Sequence, residues 1–306
     1  MINPQKIFDT QDQDEVLLVS EYEDITQCPV CNSSKRKIYI KHRNYQLLKC
    51  PQCNLVYQTP RKKELILNKQ YIDNVSSRSD YYESTFLVDK ITFKERLAQT
   101  IQILNINPNG KKVLDVGCNI GSFLASARDL GFDSVGVEPN PYAAKECEKQ
   151  GFKVINSFFN KENLKGMENG FDLIHLGDIT EHVTIPLELI KMVSEFTRKG
   201  GAILISTPNI DSIIARTFQI KPNEHILYFD KLSLNYLFNQ AGLKPVKMFI
   251  TSRKRDFKSF KHSTSFNNKR NKLILDIVTS FGLGEIITLL LKYIARDELF
   301  LIAQKM

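Results

Sequence analysis

Several features are missing from this chain of 306 residues, and each absence excludes something. No basic-then-apolar segment opens it: residues 1–27 scatter acids among polar residues, which argues against a secretory signal and makes a cytoplasmic location the expectation. No apolar run is clean enough to span a bilayer. The greasiest stretch, Leu273–Ile294, has 14 apolar residues of 22, but Asp276, Gly282, Gly284, Glu285 and Lys292 break it. No internal repeat is visible, and 42% apolar with 25% charged residues gives no bias toward disorder. Net basic charge is also scarce outside one place. Arg253–Lys272 holds eight Lys/Arg against the single acid Asp256, so almost all of the net charge of +8 is local and no chain-wide field for nucleic acid is implied.

The length leaves room for a full α/β domain and a small module, at roughly 100–200 residues per domain. The module is written in cysteine. Four of the six cysteines form Cys28-Pro29-Val30-Cys31 and Cys50-Pro51-Gln52-Cys53, with eighteen residues between the pairs. Two such knuckles present four thiolates to one tetrahedral ion, so Cys28, Cys31, Cys50 and Cys53 are expected to bind Zn2+. A reducing cytosol disfavours the competing reading, two disulfides. Four thiolates leave no open coordination position, which makes such a metal structural. Short strands at Lys37–Ile40, Tyr45–Leu48 and Leu55–Tyr57 complete a zinc ribbon over residues 25–62, preceded by an arm, 1–24. Of the remaining cysteines, Cys147 reads as a small buried apolar residue and Cys118 as a thiol with nothing to lower its pKa.

Residues 63–108 form a helical bridge, with helical spacing over Leu65–Tyr71 and Ile91–Leu104, ended by Pro108-Asn109-Gly110. From there strands and helices alternate. Strands are expected at Lys112–Val116, Ser134–Val137, Lys153–Ile155, Asp172–Leu176, Ala202–Thr207, Lys244–Thr251 and Glu298–Gln304. Helices are expected at about Ser122–Leu130, Pro141–Gln150, Pro186–Thr197 and Lys231–Ala241. The fold class is therefore α/β, with a doubly wound, mainly parallel sheet over residues 109–306.

The first strand runs into Gly117-Cys-Asn-Ile-Gly121, and Glu138 closes the second strand 21 residues past Gly117. Glycines that let backbone approach a ligand, with an acid placed to take ribose hydroxyls, mark an adenosine-containing cofactor. The G-x-G-x-x-G of a dinucleotide site is absent, and Asp115 would repel a diphosphate. A ligand with an ammonium group and no phosphate, S-adenosylmethionine, suits the site better. Asn119 stands between the glycines, and asparagine tolerates positive φ. With Asp115-Val-Gly117-Cys-Asn-Ile-Gly121 and Glu138, the chain resembles the class I S-adenosylmethionine-dependent methyltransferases. That resemblance implies a Rossmann-like sheet of seven strands with the last antiparallel. It also implies that Asp115, Gly117 and Gly121 cradle the methionine part and Glu138 takes the ribose. Ser157 and Phe158 would flank adenine, and the backbone at Leu176 and Gly177 would complete the wall.

After the fourth strand comes Gly177-Asp178-Ile-Thr-Glu181-His182, and the later segment Pro222-Asn-Glu224-His225 follows the fifth. Asp178 and Glu181 would share a face of a helical turn, with His182 beside them. By resemblance both segments line the methyl-transfer pocket. His182 or His225 would act as general base, or Asp178, Glu181, His182 and His225 would hold a divalent ion that acidifies the acceptor. That spacing resembles the metal site of small-RNA 2′-O-methyltransferases and ubiquinone-pathway O-methyltransferases, which have glutamate where this chain has Asp178.

Ribbon and core together resemble bacterial enzymes that methylate nucleotide-sugar or polysaccharide intermediates, so a small-molecule or glycan hydroxyl is the expected acceptor. RNA is the alternative acceptor, and a cofactor-binding interaction protein without turnover is a further one. The insertion at about 253–294, with Phe257, Phe260 and Phe266 among its basic residues, reads either as a solvated loop and covering helix or as a peripheral membrane contact at the inner face. Leu273–Ile294 could equally form a dimer surface, and the oligomeric state stays open.

Overall fold

The computed structural model describes residues 19–73 apart from 43, 79–252 apart from 219 and 223, residue 254, residues 276, 277, 280, 282 and 284, and 296–306. Most of the expected basic and apolar insertion at 253–294 and most of the arm at 1–24 thus lie outside the described residues. Among the described residues, no helix is long and apolar enough to cross a membrane.

The described residues open with a 3-10 turn, Val19–Glu21, and then short strands: β1 (Tyr22–Glu23), β2 (Lys37–Lys41), β3 (Gln46–Lys49), β4 (Val56–Thr59) and β5 (Arg61–Lys62). Two helices follow, α1 (Glu64–Asp73) and α2 (Ser79–Leu104). The remainder alternates as expected: β6 (Lys112–Val116), α3 (Ser122–Asp129), β7 (Asp133–Val137), α4 (Pro141–Lys149), β8 (Lys153–Ile155), β9 (Phe171–Gly177), α5 (Pro186–Phe196) and β10 (Thr197–Pro208). After these come α6 (Ile213–Phe218), β11 (Leu227–Tyr228), α7 (Lys231–Gln240), β12 (Lys244–Thr251) and β13 (Glu298–Gln304).

The large sheet has seven strands in the order β12-β13-β10-β9-β6-β7-β8. Strands β10, β9, β6, β7 and β8 run parallel, whereas β13 is antiparallel to both β10 and β12. Period-two alternation assigns the two faces. Leu114, Val116, Ile174, Leu176, Ile203 and Ile205 pack on one side under α5 and α7, with Ile190, Val193, Phe196, Leu234, Leu237 and Phe238. Val113, Leu173, Ala202, Leu204, Phe300 and Ile302 pack on the other, under Phe93 and Leu97 of α2 and Phe123 of α3. Both faces are covered, which is why the central strands are apolar almost throughout.

Local chemistry sets the helix starts. Asn140 caps α4, its Oδ1 accepting from the amides of Tyr142 and Ala143, with Pro141 in the first turn. Asp230 and Ser233 form a reciprocal box at α7. Strand β10 starts earlier than the predicted Ala202, because the pairing with β9 continues to Thr197 across an irregularity that contains Gly200 and Gly201.

The N-terminal module differs from the expected three strands. Its sheet has four, in the order β11-β4-β3-β2, and the outermost strand, β11, comes from far along the chain. Cys28, Cys50, Leu55, Tyr57, Ile226, Leu227 and Phe229 join the core beneath α5 and α7, so module and main sheet share one apolar interior.

Candidate active site

The glycine turn sits where β6 gives way to α3, at the carboxyl end of the sheet. Gly117 has φ +71°, a left-handed conformation that favours glycine, and a β-carbon there would come within 2.8 Å of the flexible end of Ile179, Cδ1. Asn119 adopts φ 50°, the left-handed conformation its residue type tolerates. The turn is tied to the second strand by amides: Gly117 and Cys118 both donate to the carbonyl of Val137.

Glu138 holds this turn from the side. One carboxylate oxygen accepts the Asn119 amide and the other the Asn140 amide, each at 2.9 Å. Burial pushes the carboxyl up to about 7, against the pull of those two amides. Each oxygen retains a second lone-pair direction, so the acid fits a ribose diol. Ser157 and Phe158 follow β8, both half-buried, with the Ser157 hydroxyl on the Phe158 carbonyl. Leu176 is fully buried and Gly177 ends β9 beside the turn. Asp115 has a partner inside the sheet: its carboxylate is buried, and Oδ1 accepts a hydrogen bond from His175 Nδ1 at 2.7 Å.

Glu181, His182 and His225 come together although His225 lies 44 positions after Glu181. One ligand atom from each lies within 4.8 Å of the others. The His182 and His225 rings meet edge to face at 4.9 Å. Residues 178–182 form a turn and not the expected helical face, with Asp178 at φ 53° and its amide on Ser206, and Asp178 is not in the cluster. Thr207 donates to Glu181 Oε2 at 3.0 Å, whereas Oε1 is buried without a partner. Burial, and next the charge of Asp178, hold the Glu181 carboxyl well above the usual carboxylate range. His182 donates Nδ1–H to the Glu224 carbonyl at 2.7 Å, leaving Nε2 to take a proton or a metal. Burial lowers the His182 pKa and so favours the neutral ring. The chemistry of the set, two imidazoles and an unsatisfied carboxylate oxygen, fits a divalent cation.

The cysteines meet likewise: Cys28, Cys31, Cys50 and Cys53 place four sulfurs within 4.8 Å of one another. Cys28 lies 3.4 Å from Cys53 and Cys31 3.5 Å from Cys50, sulfur to sulfur. Each knuckle ends on an asparagine in the left-handed region, Asn32 and Asn54, whose amide returns to the first cysteine's carbonyl. The Cys53 thiol and the amides of Cys31 and Val30 draw Cys28 down to about 5 despite its burial. Four converging sulfurs with a thiolate favoured among them fit Zn2+.

Three contributors escaped the sequence. Thr207 orients Glu181. Tyr71 of α1 reaches the His182 ring edge to face at 5.7 Å. His175 lies inside β9 opposite Asp115. A histidine within an otherwise apolar strand, in register with a buried acid, was the available signal for the last.

Comparison with known proteins fits this geometry. A methyltransferase domain family matches residues 89–248, just over half of the chain. The ubiquinone biosynthesis O-methyltransferase of Dinoroseobacter shibae is 27% identical over 156 residues, 46% of this chain and 63% of that protein. The mitochondrial ubiquinone biosynthesis O-methyltransferase of Schizosaccharomyces pombe is 28% identical over 127 residues, 39% of this chain and 45% of that protein. The chain thus spans less than two thirds of either relative. The fold is shared with the magnesium protoporphyrin IX methyltransferase of Synechocystis PCC 6803, at a TM-score of 0.54 and 11% identity over 80% of this chain and all of that one. The sheet order, the glycine turn and the family match across residues 89–248 agree: the chain belongs to the methyltransferase domain family.

Proposed function

We propose that this chain transfers a methyl group from S-adenosylmethionine to a hydroxyl oxygen of a small-molecule or glycan acceptor such as a nucleotide sugar. The observation that carries the reading is the Glu181–His182–His225 cluster near the glycine turn, with Glu181 Oε1 unpaired. Ligands of open α/β sheets bind at this end of the strands. The O-methyltransferase names of the relatives, at low identity, support oxygen as the acceptor atom.

Gly117, Gly121 and Glu138 would hold the cofactor, with Ser157 and Phe158 along the adenine side. When bound, S-adenosylmethionine supplies a methyl group on a positively charged sulfur. The chain's own task is the acceptor's proton. His182, fixed through Nδ1, offers Nε2 to the hydroxyl, and its lowered pKa keeps that nitrogen unprotonated at neutral pH. Alternatively, Glu181, His182 and His225 would hold a divalent ion, His182 Nε2 then being a ligand instead of a base, and the ion's charge would lower the hydroxyl's pKa. Four cysteines would hold structural Zn2+ apart from the chemistry.

The test is transfer of labelled methyl from S-adenosylmethionine, offered to nucleotide-sugar pools and to RNA, with and without added Mg2+ or Mn2+. Label is expected in the sugar fraction and in the wild type, with His182→Ala reduced by about 100-fold or more, as for loss of a general base or ligand. Label in RNA would overturn the acceptor assignment, and label in neither would point to a cofactor-binding interaction protein.

A further inference from the structure

The glycine turn rests on a polar pair that the proposed chemistry leaves unused. Asp115 and His175 stand opposite each other on the parallel strands β6 and β9, both 2% exposed, joined by a hydrogen bond of 2.7 Å. The imidazole is fixed on every side. Phe123 stacks on it with ring centres 4.0 Å apart and planes at 1°, and Phe93 meets it edge-on at 5.2 Å. At the next position on the same face, a β-carbon on Gly177 would fall 2.6 Å from His175 Cε1, so the sheet gives up a side chain there to seat the ring.

The remaining nitrogen, Nε2, is buried with no hydrogen-bond partner among the described residues. A doubly protonated ring would bury an N–H donor without an acceptor. The neutral tautomer carrying its proton on Nδ1 satisfies Asp115 and leaves only a lone pair unmet, the cheaper arrangement. Burial raises the Asp115 pKa and the His175 N–H pulls it back down, so the imidazole is what favours a negative charge on this carboxylate inside the sheet, two residues before Gly117. Charge so buried is felt strongly by a neighbour, because little water screens it.

We propose that His175 is a positioning residue for Asp115: its Nδ1–H fixes the carboxylate under the start of the glycine turn, where a buried negative charge favours a cationic cofactor over the by-product whose sulfur has lost its charge. The inference rests on the S-adenosylmethionine reading above. It assigns Gly177 to the imidazole.

Calorimetry on the full chain, with S-adenosylmethionine and S-adenosylhomocysteine as separate probes, tests it on wild type and on His175→Asn, His175→Phe and Asp115→Asn. Thermal melts establish that each variant is folded. Asparagine presents an amide N–H near the imidazole Nδ1 position, so His175→Asn should keep the preference between the two compounds within about threefold, whereas His175→Phe and Asp115→Asn should lose roughly tenfold of affinity for S-adenosylmethionine and less for S-adenosylhomocysteine, the scale of one hydrogen bond to a charged group. An unchanged preference in Asp115→Asn, which keeps shape and removes charge, would overturn the proposal. So would equal losses in His175→Asn and His175→Phe, which would make the ring a packing element. A folded wild type that binds neither compound would overturn the cofactor reading itself and this inference with it.

Discussion

Glu138 shows how one side chain can tie a turn together and carry a stability cost. Its carboxylate takes two amides of the cofactor region, yet it lies in an interior that pushes its pKa up to about 7 from an ordinary value near 4.5. The folded protein therefore binds the proton more tightly than the unfolded chain. Stability contributed by this group is complete below the unfolded value and lost as pH rises through about 4.5 to about 7, by on the order of 3 kcal/mol. Glu138→Gln removes the titration but turns an amide donor toward one of two backbone donors. Its melting temperature should thus sit lower than wild type at pH 5, and the gap should narrow by pH 7.5. Melts across that range are the measurement, and a constant gap would show that Glu138 does not titrate there. The acid's place at the end of the second strand was legible in the sequence, because the turn and the strand are local. Its backbone partners were not, since they depend on how the turn closes.

Among the elements, α1 has a reach that its short sequence conceals. The carbonyl of Ile72 accepts from Asn140 Nδ2 at 2.7 Å, Glu64 accepts from the Thr184 hydroxyl at 3.0 Å, and Tyr71 touches His182. One helix thus spans from the residue that caps α4, beside Glu138, to the histidine cluster. Asn140→Asp separates the two roles of that residue: the carboxylate still caps α4, but it can no longer donate to Ile72. The variant should lose about 1–2 kcal/mol from the missing bond and the carbonyl left facing an acid, and α1 amides should exchange faster while α4 stays protected. Hydrogen exchange resolved by segment checks this, and equal protection of α1 in both proteins would show that the bond does not hold the helix. Strands β6, β8, β12 and β13 have the ends that periodicity predicts, because alternation is written within each strand. Residues 178–182 were misread as a helical turn, because spacing cannot report that Asp178 adopts positive φ.

At the scale of the molecule, the cysteine module braces the segment that carries His225, and nothing local announced it. Strand β11 pairs with β4, Leu227 opposite Tyr57 and Tyr228 opposite Val56, and the amide of Gln58 donates to the Ile226 carbonyl. From the other side, the amides of Ile226 and Leu227 both donate to the carbonyl of Glu181. The segment that follows His225 is therefore clamped between the module and the Glu181 turn. The second knuckle adds a direct tie, Asn54 Nδ2 donating to Asp230 at the cap of α7, with Lys49 3.8 Å from the same carboxylate. A structural zinc site contributes on the order of 10 kcal/mol to the fold it closes, so removing the metal should free β4 and with it β11 and His225. The glycine turn, built on β6 and β7, makes none of these contacts. Zinc-stripped protein, or Cys50→Ser, should consequently keep its affinity for S-adenosylmethionine, lose hydrogen-exchange protection at 226–228, and transfer methyl about 100-fold more slowly, the cost of a catalytic group displaced by an ångström. Restoring Zn2+ to the stripped protein should recover both protection and transfer, while Mg2+ alone should recover neither. Full protection at 226–228 without metal would show instead that β11 is held by Glu181 alone, and that the cysteine cluster stabilises only its own module.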